Sequence, residues 1–285
     1  MPGYISTAQH TFQHPTPKQP QDSPHVWNQP VYSSKIQYTS DAKTSPLLEA
    51  PAITRIQQII GTLLFYGIAA HPTSLVALGS IASEQSTATE NTQANIHRLF
   101  DYAASHPNAT IRYYASGMVL YIHSDTSYLS KPKSRSRAGG HFFLSNMPTD
   151  LTEGPTKPRL NGPIHTVCHI KRHVMASAAE SKVGELFLNG QEAIPLRNTL
   201  IELGHPQPPT PLQTDNTTAA GFANDTIKQK RSKAMDMRFD WIKCRVRQNH
   251  FRLHWRPGSE NQADYHTKHH FPTHHRRMRP TYLLP

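Results

Sequence analysis

Four acidic residues stand where an α/β chain can do chemistry. Asp125 closes an apolar run that begins at Val119, and Asp215 closes the short run Pro211-Leu212-Gln213-Thr214. Glu180 and Asp264 fall near the starts of predicted helices. In an α/β sheet the strand ends fan apart, and side chains from several elements meet there. Carboxylates are the donors that Mg²⁺ takes, leaving positions open for water and substrate phosphate. Two such ions about 4 Å apart activate a water and stabilise the departing oxygen of an in-line phosphoryl displacement. The residues from about Met118 to His270 are thus expected to gather carboxylates around metal ions and cut nucleic acid. A single Asp is better explained as a cap or turn residue. Four acids in this order, on this alternation of elements, favour chemistry.

The elements that must position them are legible in outline. Val119, Tyr121 and His123 alternate with Leu120, Ile122 and Ser124, which predicts a strand ending at Asp125. Arg137-Ala138-Gly139-Gly140 is expected to turn the chain into a second strand, His141 to Ser145, and a third runs from Ile164 to Ile170. Ser177 with Glu180 three residues on has the capping-box spacing. The helix they open carries an apolar stripe from Val183 to Ile201, with a kink or break expected at Pro195. A strand at Pro211–Asp215, a short helix at Thr217–Asn224, a longer helix at Lys228–Gln248, a strand at Phe251–Trp255 and a last short helix carrying Asp264 complete the order.

Upstream, Ile56, Ile59, Ile60, Leu63 and Leu64 recur at helical spacing, and a second helix is expected from Asn91 to Ser105 with Ile96, Leu99 and Phe100 on one face. Residues 1–50 hold Pro15, Pro17, Pro20, Pro24 and Pro30 among Gln, His and Ser, and read as an arm without a core of its own.

Lys and Arg number 30 against 19 Asp and Glu, a formal charge of +11. An excess of this size suits a polyanionic partner, since neutralising phosphates releases counterions. Two cysteines exclude a disulfide framework or a sulfur-bound zinc cluster. The opening Met1-Pro2-Gly3-Tyr4 lacks the pattern of a secretory leader, and the longest apolar stretch, Ile59 to Ala70, is too short to span a bilayer. The expectation is a cytoplasmic or nuclear protein that does not engage a membrane.

Taken together, several short motifs carry a resemblance. His123-Ser124-Asp125-Thr126-Ser127-Tyr128-Leu129, Arg135-Ser136-Arg137-Ala138-Gly139-Gly140, Ser177-Ala178-Ala179-Glu180, Gln213-Thr214-Asp215-Asn216, Lys233-Ala234-Met235-Asp236-Met237-Arg238 and Ala263-Asp264-Tyr265-His266-Thr267-Lys268 fall in one order at compatible spacings. The stretch Tyr114 to His270 thereby resembles the ribonuclease H domain that ends a copia-type LTR retrotransposon polyprotein. Arg55 to Arg112, with Gln57-Gln58-Ile59-Ile60-Gly61-Thr62, resembles the segment joining the polymerase to that domain, and residues 1–50 resemble the end of the polymerase.

The resemblance implies a ribonuclease H-like α/β domain with a mixed five-stranded sheet at 114–270. A small helical connection at 51–113 and a disordered arm at 1–50 would precede it, and a basic tail at 271–285 would follow. It implies hydrolysis of the RNA strand of RNA–DNA hybrids with two Mg²⁺ or Mn²⁺ ions. Asp125 would bridge both ions, Asp215 and Asp264 would each help to hold one, and Glu180 would be the helix ligand. The expected partners are the hybrid, or another nucleic acid, and the remaining parts of the polyprotein.

There are two departures from the family pattern. No Tyr-x-Asp-Asp stretch occurs, so the polymerase palm is missing and DNA synthesis is not expected. The family's helix shows Glu-Ala-Glu-Tyr where this chain reads Glu180-Ser181-Lys182-Val183. If the ligand belongs at the second Glu, Lys182 sets a cation there, and Glu180, about 200° away around the helix, does not replace it. Glu185, about one turn from Lys182, lies on a nearby face. The rival readings are a catalytically inactive remnant that only binds nucleic acid, which Lys182 favours, and a transposase or integrase core, whose last acid is a Glu where this chain has Asp264.

Other features have plain explanations beside functional ones. The basic run Lys228–Lys233 reads equally as a solvated helix face or as a contact to a DNA strand. Trp255, between His254 and Arg256, would stack on a base if exposed, but is expected in the core. Cys168 is expected as a small buried hydrophobe, and the His- and Arg-rich end as a basic tail without a fixed scaffold.

Overall fold

The computed structural model describes residues 1–27, 45–148, 157–227 and 236–284. Two compact units divide the chain. One takes in the described residues of Met1–Ile36, Ser40–Arg112 and His269–Pro285, and the other those of Tyr113–Lys268. Among the described residues no helix is long and apolar enough to cross a membrane.

The first unit is helical. Helix α1 (Tyr4–Thr11) lies in the stretch predicted as a coreless arm, yet it buries Ile5 and Ala8. Its short apolar face is too weak a signal alone. Tertiary contact sustains it, with Tyr4 stacked on Tyr66 at 5.2 Å between ring centres and donating to the Thr62 carbonyl. Helix α2 (Ala50–Ala69) buries Ile56, Ile59, Ile60 and Leu63 of the face the spacing predicts, while Leu64 of that set is exposed. After α3 (Leu75–Ala82), helix α4 (Glu90–Ser105) is capped by Thr89 and buries Ile96, Leu99 and Phe100.

The end of the chain also differs from the expected tail. Pro272–Tyr282 is a helix that buries His275 and Tyr282, and Leu284 N–H bonds the Thr110 carbonyl at 2.8 Å. Pro272 in its first turn suits a helix start, and burial of its few apolar and aromatic side chains compensates for a polar composition.

The second unit is a mixed five-stranded sheet covered by helices, as the sequence predicts. Strands β1 (Val119–Lys131) and β2 (Arg135–Ser145) form an antiparallel hairpin, and β3 (Pro163–Ile170) pairs antiparallel with β2. Helix α5 (Ala178–Glu202) follows, and β4 (Thr210–Thr214) then pairs parallel with β1. Helices α6 (Thr217–Ala223) and α7 (Asp236–Arg247) lead to β5 (Phe251–Trp255), parallel to β4. The sheet order is β3-β2-β1-β4-β5. Leu120, Ile122, Phe142, Leu212 and Leu253 pack with Val183, Leu186, Ala219, Phe222, Phe239 and Ile242 in the main core.

Two expectations need correction here. Helix α5 runs unbroken through Pro195, which removes one amide donor but leaves buried Leu186, Ala193 and Leu200 to hold the helix to the sheet. The hairpin turn is at Pro132-Lys133-Ser134, where Lys133 and Ser134 take left-handed backbone angles, and Gly139-Gly140 lie inside β2. These glycines serve close approach instead of turning. A Cβ on Gly140 would sit 2.5 Å from Asn189 Oδ1, and one on Gly139 would sit 2.7 Å from both the Ala263 carbonyl and Thr267 Cγ2. Residues Lys228–Met235, the start of the predicted long helix and its basic run, lie outside the described residues.

Gly140→Ala is expected to destabilise the second unit by about 1–3 kcal/mol through overpacking, read as a lower urea midpoint; an unchanged midpoint would show that Asn189 yields freely. In the first unit burial pushes the His71 imidazole down to about 3. The folded state then holds fewer protons than the unfolded chain between that value and the ordinary 6.5. This stability is present above pH 6.5 and is lost as pH falls toward 3. Urea midpoints taken at stepwise lower pH should fall through this window, and His71→Phe should flatten the fall.

Candidate functional site

The parallel register sets up the site. Ile122 pairs with Leu212 and His123 with Gln213, so continuing two residues brings Asp125 beside Asp215 where β4 ends. Asp125 is buried, 3% exposed, and Asp215 is half-buried. The third acid arrives on a 3-10 turn, Gln262–His266. Asn261 ties that turn to β1 by donating to the Ser124 carbonyl at 2.9 Å, and Gln262 N–H bonds His123 Nδ1 at 3.1 Å. Bare Gly139 lets the turn press against β2. Thr267 Oγ1 then donates to Asp125 Oδ2 at 3.3 Å and to the Asp264 carbonyl at 2.9 Å. Asp125, Asp215 and Asp264 thus converge on one end of the sheet.

Helix α5 contributes a cation at the same place. Ser177 caps its start, and Asn189 Nδ2 holds the helix to the sheet through Ser124 Oγ at 2.8 Å and the Gly139 carbonyl at 3.1 Å. In this setting Lys182 Nζ bonds Asp125 Oδ1 and reaches Asp215 Oδ1 at 2.6 Å. Burial disfavours the ammonium, but the Asp125 and Asp215 carboxylates outweigh it and hold its pKa above the ordinary value. Glu180 goes elsewhere, its carboxylate accepting the Ala176 amide at 2.9 Å beside the cap.

Sequence reasoning missed a second layer beneath. Lys171, just past β3, is buried and donates to the Ser181 carbonyl at 2.7 Å, with Glu185 Oε2 3.0 Å from its Nζ. Burial pushes Glu185 up to about 7, against the pull of Lys171, and Asp125 adds to the rise. Burial also lowers Lys171. Helical spacing had set Glu185 near Lys182, but nothing in the sequence marked Lys171 as its partner, because their meeting depends on how α5 lies over the sheet. Lys268 had a pattern to flag it, four residues after Asp264, and its ammonium reaches Asp264 Oδ1 at 2.7 Å. Burial nonetheless keeps the Asp264 carboxyl above its ordinary value, Lys268 opposes that, and the Asp125 carboxylate adds to it.

This donor set does not fit the pair of divalent ions that the resemblance implies. The Lys182 ammonium lies between the Asp125 and Asp215 carboxylates, where an ion would be held, and like charges at that range repel. Among the described residues no group of three or more His, Cys, Asp and Glu side chains is arranged to hold a metal. What the centre does as built is pair each of its four acids with an ammonium, Lys182 serving both Asp125 and Asp215, Lys268 serving Asp264, and Lys171 serving Glu185.

Two further expectations resolve nearby. Trp255 is not a core residue but 48% exposed, its indole N–H bonded to the Asp215 carbonyl at 3.0 Å. Cys168 is half-buried where a fully buried hydrophobe was expected, its thiol donating to the His266 carbonyl at 3.3 Å, and desolvation pushes its pKa up.

No protein-family model matches the chain, and no curated protein matches it. Among solved structures, the ribonuclease H1 called LC11, isolated from compost by a metagenomic approach, is similar over 53% of this chain and 93% of its own, with 12% identity and a TM-score of 0.39. At that distance the likeness carries no residue role.

Lys182→Met should lower stability at neutral pH by about 3 kcal/mol, the low end for breaking a buried ion pair. The opened carboxylates should then take up a divalent cation. Added Mg²⁺ is expected to raise the Tm of Lys182→Met and leave the native protein unchanged. Equal shifts in both proteins would show that the ammonium does not block the site.

Proposed function

We propose that the second unit is a ribonuclease H-like domain of retrotransposon type that holds nucleic acid, RNA–DNA hybrid above all, without hydrolysing it. The observation that carries this reading is the Lys182 ammonium bonded to both Asp125 and Asp215. Hydrolysis by the expected mechanism requires carboxylates free to bind cations, and here a side chain of the protein satisfies them. Binding is supported by the excess of 30 Lys and Arg over 19 Asp and Glu, which favours a polyanion through counterion release, and by the motif resemblance. Discrimination would rest on groove shape and 2′-hydroxyl contacts, not base reading.

The convergence of Asp125, Asp215 and Asp264 favours a second reading, metal-dependent cleavage of the RNA strand with Lys182 swinging aside. One assay separates the two. The native chain and Lys182→Glu are incubated with a hybrid labelled on its RNA strand, in Mg²⁺ or Mn²⁺. The native protein should bind the hybrid, more weakly as salt rises, and leave it intact, whereas Lys182→Glu should cut it. Cleavage by the native protein at a rate similar to the variant establishes the hydrolytic reading instead. Failure of the native protein to bind hybrid at low salt removes both.

A further inference from the structure

Histidines distant in the chain meet in the first unit. Helix α8 (Pro272–Tyr282) carries His274 and His275, and the segment 22–27 lays His25 against them. His25 Nδ1 lies 3.0 Å from the Val26 carbonyl, which only accepts, so that nitrogen carries the ring proton. His25 Nε2 is then an acceptor, and its neighbour at 3.0 Å, His275 Nε2, donates to it. His269 stacks on His25 with ring centres 3.9 Å apart, and Arg277 donates to His274 Nδ1 at 3.1 Å. The contact between the segment and α8 thus depends on imidazoles that lack their second proton.

Apolar packing beneath the segment is incomplete. Val26 is exposed, and Pro24, His25 and Val26 line a cavity of about 180 Å³ with Ala77 and Ile81. Polar ties therefore matter, and the groups around the two rings are mainly cationic. Helix α8 brings His274, Arg276 and Arg279, with His269 and His270 just before it. Helix α4 and its C-cap bring Arg98, Tyr102 and His106, and His71 opens the turn that packs on α8. Against these stand Asp22, which Arg276 engages, and Glu84 on the cavity wall. Burial first, then His25, His270, His274 and Arg279, push the His275 imidazole down to about 2. A released ring takes up its proton at the ordinary 6.5, so the docked state holds fewer protons between these values. Docking is complete above pH 6.5 and weakens as pH falls. The Arg276 bond keeps Asp22 below the ordinary carboxylate range, so the imidazoles titrate before it.

We propose that the His25–His275 contact is an acid-sensitive latch, in which protonation of both rings sets two donors face to face, releases segment 22–27 from α8 and opens the cavity beneath it. A first proton, on His275 Nδ1, leaves the bond in place but adds a cation among cations. The second, on His25 Nε2, removes the acceptor. The device lies in the first unit and is independent of the reading proposed for the second.

Hydrogen exchange of residues 21–27 in the full chain, corrected for the intrinsic effect of pH, measures docking, because the Gln21 amide bonds Ser105 Oγ at 2.9 Å. Two rings of ordinary affinity should cut protection on the order of 1000-fold between about pH 7.5 and 5, and one ring about 30-fold. His275→Gln keeps an N–H donor and His25→Gln keeps an acceptor, yet neither new side chain titrates. Each variant should show about the 30-fold fall, and the double variant almost none. Trp27 meets Phe271 edge-on at 5.9 Å, so its emission, isolated by Trp241→Phe with Trp255→Phe, should shift to the red over the same range. Helical circular dichroism should hold throughout. Protection that stays level, or that falls as steeply in both Gln variants as in the native chain, overturns the latch. So does release that comes only with loss of the helical signal. Should either Gln substitution free the segment already at about pH 7.5, the Trp27 emission of the chain with both histidines decides the matter.

Discussion

The second unit depends on how it neutralises carboxylates that its own sheet forces together. Parallel pairing of β1 with β4 sets Asp125 beside Asp215, and the turn after β5 adds Asp264. Like charges at about 4 Å repel by on the order of 4 kcal/mol in an effective dielectric of about 20, so the arrangement needs cations. Lys182 provides one between the two strand-end acids, and Lys268 provides another at Asp264. Below them Lys171 and Glu185 form a fully buried pair, with burial raising Glu185 far enough that it titrates near neutrality. The unit is therefore organised around internal salt bridges among these side chains.

Backbone proximity makes this possible. Gly139 leaves room for the turn that carries Asp264, and Gly140 leaves room for Asn189, which sets how α5 lies on the sheet and hence where Lys182 points. Asn261, His123 and Thr267 complete the fastening of that turn to β1. Thr267 touches Asp125 itself, and Asn261 holds the carbonyl of the residue before it. A shift in any of them would move a charge in a region where burial has already made charge expensive.

Beside this salt-bridged centre the β5 edge is different in kind. There Trp255 stands half-exposed at the end of the strand, and Arg252 and Arg256 line a cleft with it. The indole bond to the Asp215 backbone joins the two regions, so strand-end geometry at β4 sets the position of both.

The sequence by itself determined the order of strands and helices in the second unit, because period-two and helical apolar spacing record which face each segment buries. It also marked Asp125, Asp215 and Asp264, since acids at strand ends and in a turn stand out against apolar runs. The misreadings are physical in origin. Gly139-Gly140 resembles a turn because glycine serves both turning and close approach, and spacing does not distinguish them. Trp255 fits the core alternation, but only the point where the helices stop covering the sheet exposes it. The helices at Tyr4–Thr11 and Pro272–Tyr282 draw their stability from contacts distant in the chain, which local composition does not record. Sequence placed a cation at Lys182 without saying what it would meet. Only tertiary structure decided that, because the reach of its ammonium to Asp125 and Asp215 depends on the rotation of α5 over the sheet, and long-range packing sets that rotation.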